Sequence, residues 1–563
     1  MRPATVSRLT MAVAALVCAL LALQPATARA ASYTKISGGG STWSSNALDQ
    51  WRRNVAANSG MTVNYSPVGS SVGREQFKNG TADFAVSEIP YGLTESGMRD
   101  APPKRGYAYM PIVAGGTAFM YNLRIGGRKV TNLRLSGEVI TKIFTGTLTM
   151  WNAPEIRADN PGLVLPARRI IPVVRSDGSG TTAQLTTWLA KEHGGLWDAY
   201  CRRAGRSTPC GMTSYFPVVP GSSTIAKSGS LGVSGYTKQG HAEGAITYVE
   251  YSYAIKTGFP VAKVLNASGY YVEPTASSVA VALMKARINE DKNSENYLTQ
   301  ILDGVYRSAD RRTYPLSSYS YMIVPTKAES PFTTAKGKTL GSFANYFLCE
   351  GQQQAEELGY SPLPKNLVEA GFTQVRRIPG APSADIDIKS CRNPTFSSDG
   401  SNTLARNAPY PKACDKRGTT QCADGTAGAK QQTRVNSGAD GGGSGGGTGG
   451  TGGTGAAGGK GGAGTAGASG GSTGTDGASG AAAGGGAASG AVDPDTGEPI
   501  EGSAGGGDAS VVGNPVTLAA GGSPGLRGVL MALSAVLLLG VVVGPPLTAR
   551  ALAARNRRKE GPR

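Results

Sequence analysis

Short apolar runs and helix-like apolar spacing follow one another along the first part of the chain. The run IIPVV at residues 170–174 predicts a buried strand. Shortly after it, Leu185, Trp188 and Leu189 fall on one face of a predicted helix, which ends at Gly194. The loop between this strand and this helix is rich in glycine and hydroxyl side chains.

Three loops of this kind each open a predicted helix. They are Gly38–Thr42 (GGGST), Gly69–Ser71 (GSS) and Arg175–Thr182 (RSDGSGTT). Free backbone N–H groups and the positive end of the helix dipole collect at such a point, which suits an anion. Three such loops indicate converging helix N-termini. For any one loop, a turn with a Ser or Thr cap is the alternative.

A carboxylate, Glu88, stands at the exit of the strand predicted at residues 82–87 (ADFAVS). Beside an anion site, a carboxylate favours an anion that keeps a proton, because it can accept that hydrogen. Phosphate near neutral pH retains a P–OH group, whereas sulfate has no proton and would only be repelled. Glu88 therefore favours phosphate; a solvated carboxylate at a strand end is the alternative.

Both ends of the chain predict export and anchoring. Residues 1–30 have the basic start, the apolar stretch and the small-x-small cleavage site of a secretory signal peptide. Residues 528–549 are apolar over about the length of a bilayer crossing, and the basic tail at 550–563 places the C-terminus in the cytoplasm. We therefore expect the mature chain on the extracellular face of the cell membrane, held by a single transmembrane helix.

A long segment of low complexity precedes the predicted membrane helix. Residues 436–525 are almost entirely glycine, alanine, serine and threonine. Such a segment buries too little apolar surface to fold and predicts a disordered linker, with a root-mean-square span of roughly 50 Å. Its use would be to hold a folded head away from the membrane.

The charge of the remaining part excludes one class of function, and its cysteines predict disulfides. Of the formal net charge of +18, about +9 remains when the two ends are set aside, which is too little for a nucleic-acid-binding surface. Six cysteines outside the signal suggest three disulfides in an exported chain. The favoured pairs are sequence neighbours: Cys201–Cys210, Cys349–Cys391 and Cys414–Cys422. A zinc site is the alternative, but no CxxC spacing supports it.

Several stretches together resemble a known family, the extracytoplasmic phosphate-binding (PstS-like) protein of the Pst-type phosphate ABC transporter. They are GGGSTW, NYSPVGSSVGREQ, ADFAVSEIP, TGTLTMWNAPEIRADNPGLVLP, VVRSDGSGTT and GAITYVEYSYA, in the family's order. SYSYMIVP, near Tyr321, fits the family's return strand. The resemblance covers roughly residues 32–377.

The resemblance implies an α/β fold of the type II periplasmic-binding-protein class, in which two lobes joined by crossing hinge strands close on the ligand. Chain order then assigns lobe I to residues 32–121 and 321–380, and lobe II to residues 122–320. A cysteine-containing extension, residues 381–435, separates these lobes from the linker. The sequence assigns this extension no role.

The resemblance also implies a phosphate-binding site. The implied ligands are Thr42, Trp43, Ser70, Glu88, Arg175, Ser179, Gly180 and Thr181, with Asp177 behind them to orient Arg175. In this set Glu88 accepts the phosphate proton, and it stands where the family commonly has the shorter Asp. Trp43 stands where the family usually has Phe. No cofactor, metal or catalytic residue is implied.

The function implied is that of a membrane-tethered solute-binding protein, not an enzyme, which captures inorganic phosphate for an ABC permease of the Pst type. Two other classes stay open. Gly69–Gly73 (GSSVG) matches the G-x-S-x-G of serine hydrolases, with Ser71 as nucleophile and His193 or His241 as base. A surface adhesin that reuses the binding fold would also suit the long linker.

Overall fold

The computed structural model describes residues 33–95, 98–294, 296–382, 388 and 390–429. Residues 33–52 and those described from 61 onward belong to one compact unit. The predicted signal peptide, linker, transmembrane helix and basic tail lie outside the described residues. None of the helices in the described ranges combines the length and the apolar character that a bilayer crossing requires.

The strands of the described ranges are short except for two. In chain order they are β1 (Ile36–Gly40), β2 (Val63–Ser66), β3 (Phe84–Ser87), β4 (Thr94–Glu95), β5 (Met98–Arg99), β6 (Tyr107–Tyr121), β7 (Arg124–Ile125), β8 (Arg128–Lys129), β9 (Arg134–Leu135), β10 (Ile171–Arg175), β11 (Ile225–Lys227), β12 (Ala245–Glu250), β13 (Lys263–Leu265), β14 (Tyr271–Val272), β15 (Arg287–Ile288), β16 (Gln300–Ile301) and β17 (Ser317–Pro325).

The helices lie between some of these strands and after the last of them. In chain order they are α1 (Ser45–Ser59), α2 (Ser70–Lys78), α3 (Gly137–Phe144), α4 (Pro154–Asp159), α5 (Gly180–Glu192), α6 (Gly194–Arg203), α7 (Gly229–Thr237), α8 (Tyr251–Thr257), α9 (Ala276–Leu283), α10 (Asp303–Tyr306), α11 (Thr334–Leu348), α12 (Lys365–Val375) and α13 (Thr403–Arg406). Three 3-10 turns, at Gly240–Ala242, Glu350–Gln354 and Ala413–Asp415, complete the set.

An eight-stranded mixed sheet organises the unit, in the order β11-β10-β12-β6-β17-β3-β1-β2. On one side β1 runs parallel to β2 and β3, and on the other β10 runs parallel to β11 and β12. We call these sides the β1–β3 half and the β10–β12 half. The predicted α/β character is confirmed.

Two central strands join the halves. β6 pairs antiparallel with β17 over its first part and with β12 from Thr117 to Tyr121, so it belongs to both sides of the sheet. β17 pairs with both β6 and β3, and its register shifts between Ser320 and Tyr321. The predicted division into lobes at 121/122 and 320/321 stays a prediction.

The helical face predicted in α5 is the face that the fold buries. Leu185, Trp188 and Leu189 are at most 4% exposed, and they belong to the largest apolar cluster, together with Trp197 of α6. The helical spacing of these apolar residues is therefore explained by the packing of α5 against the β10–β12 half.

The three predicted disulfides, Cys201–Cys210, Cys349–Cys391 and Cys414–Cys422, are confirmed. The bond between Cys349 and Cys391 fastens the start of the extension to the residue that follows α11. Nearby, the side chains of Asn393 and Thr395 both donate to the backbone oxygen of Leu363.

The later part of the extension lies against the β10–β12 side of the chain. The Arg134 guanidinium donates to the backbone oxygens of Cys414, at 2.9 Å, and Thr419, at 2.7 Å. Lys263 forms a 2.8 Å salt bridge with Asp415, and both side chains are largely buried. The extension is thus packed onto the fold along its described length.

Arg134 makes several of the hydrogen bonds that hold the extension against the fold. Its side chain is almost completely buried, and it donates to the oxygen of Asp159 as well as to the extension. We expect Arg134→Met to lower the free energy of unfolding by about 3 kcal/mol, because it removes the guanidinium donor from one buried and two partly buried carbonyl oxygens. Urea denaturation would measure the change.

The matched control is Arg376→Met, which removes an exposed arginine and should change stability by less than about 0.5 kcal/mol. Equal stability of the two variants would contradict the role of Arg134.

Candidate binding site

Glu88 lies at the centre of a cluster of hydroxyl groups. Ser41 Oγ is 2.7 and 2.8 Å from its two carboxylate oxygens, Ser70 Oγ is 3.0 Å from Oε2, and Ser320 Oγ donates to Oε1. Glu88 is 1% exposed. The donors come from the loop after β1, the start of α2 and the middle of β17, so the sheet brings together segments that are far apart in sequence.

The hydrogen-bond directions show that these hydroxyls donate to Glu88. Ser41 Oγ already accepts from the backbone N–H of Trp43 at 3.0 Å, and Ser70 Oγ accepts from that of Gly180 at 3.1 Å. Each hydroxyl has one hydrogen, which is then left for the carboxylate. A carboxylate has about four acceptor positions, and three hydroxyls fill three of them. The backbone N–H of Glu88 itself also acts on this carboxylate, so a further donor would share an acceptor position with one of these groups.

Burial raises the pKa of the Glu88 carboxyl above its ordinary value, while the hydrogen bonds from Ser320, Ser41 and Ser70 act in the opposite direction. Burial dominates because the charged form has lost its water. Glu88 therefore releases its proton at a higher pH than an exposed glutamate does.

Arg175, at the end of β10, is the buried cation of the site. It is 2% exposed, and its Nε and Nη2 both donate to the Asp177 carboxylate, with Nε–Oδ1 at 2.7 Å. Nη1 lies 3.4 Å from Ser230 Oγ. A guanidinium has five N–H donors, so two remain after these three bonds among the described residues.

Asp177 holds the guanidinium in this orientation. Its Oδ1 also accepts from the backbone N–H of Gly229 at 2.9 Å, at the start of α7. Burial acts to raise the pKa of Asp177, but the hydrogen bond and charge of Arg175 outweigh it, and the net pKa is lowered. Asp177 is therefore ionised at neutral pH, and both of its carboxylate oxygens accept from Arg175.

The start of α5 faces Glu88 directly. A Cβ placed on Gly180 would lie 1.8 Å from Glu88 Oε2 and 2.7 Å from Ser70 Oγ, so only glycine allows this approach. Thr181 is 1% exposed, and its hydroxyl has no hydrogen-bond partner among the described residues. Ser179 caps the helix by accepting from the N–H of Thr182, which leaves its own hydroxyl hydrogen able to donate.

The first loop differs in detail from the predicted arrangement. The hydroxyl of Thr42 lies 2.8 Å from Ser230 Oγ, across the contact between the two halves. The backbone N–H of Trp43 donates to Ser41 Oγ, while its buried indole Nε1 has no hydrogen-bond partner among the described residues. The Trp43 ring packs edge-on against Tyr360 and is fully buried. Trp43 therefore supports Ser41.

Sequence reasoning missed three residues of the cluster: Ser41, Ser230 and Ser320. Ser41 lies inside the predicted first loop, beside the residues that were chosen. Ser230 lies in SGSLG, a fourth glycine and hydroxyl stretch that opens a helix, and the same signal could have found it. Nothing in the local pattern of β17 points to Ser320, because a strand pattern does not say which strands become neighbours.

The geometry that a serine hydrolase needs is not formed. Ser71 donates its N–H to the oxygen of Gly178, just before α5. His193 follows the last residue of α5, a helix of 13 residues and therefore about 20 Å long. His241 lies beyond the end of α7 and packs against Tyr236. Neither histidine is within reach of Ser71.

No group of three His, Cys, Asp or Glu side chains in the described part of the chain could hold a metal ion. The ionisable groups of the cluster itself are Glu88, Arg175 and Asp177. With the helix N-terminus and the hydroxyls, they can bind an anion that both accepts and donates hydrogen bonds.

Comparison with known proteins gives consistent matches. The family model described as a PBP superfamily domain matches residues 25–350. The phosphate-binding protein PstS of Xylella fastidiosa (strain Temecula1) is 30% identical over 345 residues, which cover 61% of this chain and 86% of that protein.

Two further relatives carry the same name. PstS of Haemophilus influenzae is 28% identical over 338 residues, covering 60% of this chain and 91% of that protein. PstS 2 of Mycobacterium tuberculosis is 31% identical over 332 residues, covering 58% and 82% respectively. The chain therefore belongs to the PBP superfamily and, within it, to the PstS-like family of phosphate-binding proteins.

Proposed function

We propose that this protein captures inorganic phosphate in the cluster around Glu88 and Arg175. The observation that carries the proposal is Glu88, a buried carboxylate that is surrounded by hydroxyl groups and, when ionised, can only accept hydrogen bonds, so that it suits a ligand with a donor of its own. Hydrogen phosphate supplies such a donor, its P–OH group. Sulfate does not, and would be repelled by the carboxylate.

The other groups suit the negative charge of the same ligand. Arg175 keeps two N–H donors, and charge-assisted bonds from a guanidinium to an oxyanion are strong. The N-terminus of α5 and the free hydroxyl of Thr181 add donors without adding a full charge. In this proposal the ligands are Thr42, Trp43, Ser70, Glu88, Arg175, Ser179, Gly180 and Thr181, with Asp177 in a supporting position.

The finer parts of the function rest on the sequence. We propose that residues 528–549 anchor the protein, that residues 436–525 hold its head at the extracellular face, and that it delivers phosphate to an ABC permease of the Pst type. The names of the PstS relatives support the binding role. An adhesin role would be favoured if phosphate binding proved independent of any importer.

The test is titration calorimetry of the purified chain, freed of copurifying ligand by partial unfolding and dialysis, with phosphate and then sulfate near neutral pH. Tight phosphate binding without a sulfate signal supports the proposal. A folded protein that binds neither anion, or binds sulfate equally well, contradicts it.

Arg175→Ala should raise the phosphate dissociation constant by at least tenfold, about 1.4 kcal/mol, because the ligand loses its buried counter-charge. Calorimetry of the variant would measure the change. The exposed Arg376→Ala, as control, should leave the constant unchanged. An unchanged constant in Arg175→Ala would rule out this assignment of the site.

Glu88 predicts a specific pH dependence. Its pKa is raised, so as the pH falls the carboxylate is protonated earlier than an exposed glutamate and can no longer accept the P–OH hydrogen. Phosphate affinity should therefore weaken as the pH falls through this raised pKa. Glu88→Gln should lose this part of the pH dependence of phosphate affinity. It should also narrow the preference for phosphate over sulfate, since an amide does not repel sulfate.

Calorimetry with both anions between about pH 4 and pH 8 would measure the effect, with the change in phosphate protonation subtracted. If wild type and Glu88→Gln show the same pH profile and the same selectivity, Glu88 is not the proton acceptor.

A further inference from the structure

The two halves are also joined outside the anion cluster, by a carboxylate that the proposed binding role does not use. Glu95, on β4 of the β1–β3 half, accepts from both the backbone N–H and the hydroxyl of Ser214. Ser214 lies in the loop between α6 and β11, in the β10–β12 half. One charged side chain thus spans the contact between the halves with two bonds.

The Ser214 end is attached directly to the start of α5. The backbone oxygen of Ser214 accepts from the N–H of Ser179 at 2.9 Å. The neighbouring Thr213 exchanges two bonds with the Thr186 hydroxyl, both 2.9 Å, and the Thr213 hydroxyl accepts from Arg206 at 3.0 Å. The loop therefore moves with the helix whose N-terminus faces Glu88.

The Glu95 end is attached to the helix that carries Ser70. Glu95 lies in the β4–β5 hairpin, and Asp100, just after this hairpin, forms a 2.6 Å salt bridge with Arg74 of α2. Arg74 is 4% exposed. The hairpin is therefore held against α2, whose first residue, Ser70, donates to Glu88.

The contact completes a closed ring of interactions. From Ser70 the ring runs along α2 and the hairpin to Glu95, crosses to Ser214, and returns through Ser179 and Gly180 to Ser70. Ser71 reinforces the crossing, since its hydroxyl lies 3.3 Å from that of Ser214. A ring of this kind holds the two sides of the cluster together at a position beside the ligand groups.

We propose that Glu95 is a positioning residue. Its two hydrogen bonds from Ser214, which we call the Glu95–Ser214 latch, keep the two halves closed and thereby slow release of the bound anion. This inference rests on the proposed function only for the identity of the anion. The latch itself does not depend on which anion is bound. A charged acceptor is suited to this role, because bonds from a neutral N–H and O–H to a carboxylate are stronger than those to a neutral oxygen.

The first test is stopped-flow kinetics of phosphate on the full chain with Glu95→Gln and Glu95→Ala. Both variants should raise the dissociation rate constant about tenfold, with the larger effect in alanine, and leave the association rate constant nearly unchanged. The exposed Glu357→Gln is the control. If Glu95 only stabilised the fold, its replacement would lower the free energy of unfolding. Under our proposal, urea denaturation of both Glu95 variants should give the same free energy of unfolding as wild type.

The second test needs no ligand. Hydrogen exchange of the full chain, read at single amides, reports on Ser179, whose N–H is bonded to Ser214 and not to Glu95 itself. Glu95→Ala should speed exchange at Ser179 several-fold in the absence of phosphate. Ser214→Ala, which removes only the hydroxyl bond, should have a smaller effect.

The two proposals fail separately. If wild type binds phosphate but the Glu95 variants release it at the wild-type rate, the latch is wrong and the binding function stands. If wild type binds no phosphate, the proposed function is wrong, and exchange at Ser179 then decides the latch. Unchanged exchange at Ser179 in Glu95→Ala overturns the latch in either case.

Discussion

The burial of Glu88 between the two halves of the sheet is the constraint on which the rest of the site depends. A carboxylate taken out of water loses its hydration and stays charged only if protein donors replace that water. Here the replacement is three serine hydroxyls from three separate segments. These segments meet only when β1, β3 and β17 lie side by side, so the topology of the sheet and the charge state of one residue are linked.

The same constraint sets the shape of the surroundings. Gly180 has to lack a side chain, because its α carbon lies against the carboxylate. Ser70 has to accept from Gly180 and donate to Glu88, so its single hydroxyl joins the two halves. Arg175 is buried as well, and Asp177 compensates its charge and fixes its direction. Each polar group is thereby positioned by another. Such mutual positioning favours a rigid site whose donors and acceptors have fixed directions.

The extension that follows the region matched by the family model is part of the folded unit. Its start is fixed by Cys349–Cys391, and its later part is held by Arg134 and Lys263. The last described residues of the extension therefore lie on the β10–β12 side.

Local pattern was enough to predict much of this protein. The strand at 170–174, the buried face of α5 and the position of Glu88 at a strand exit follow from spacing, because packing and turn chemistry act over a few residues. The three disulfide pairs were favoured among fifteen possible pairings, and the structure decided between them. The contribution of Ser320 and the contact between Glu95 and Ser214 could not be predicted in that way. They join residues more than a hundred positions apart, and only the order of strands in the sheet and the closure of its two halves bring their atoms within hydrogen-bonding distance.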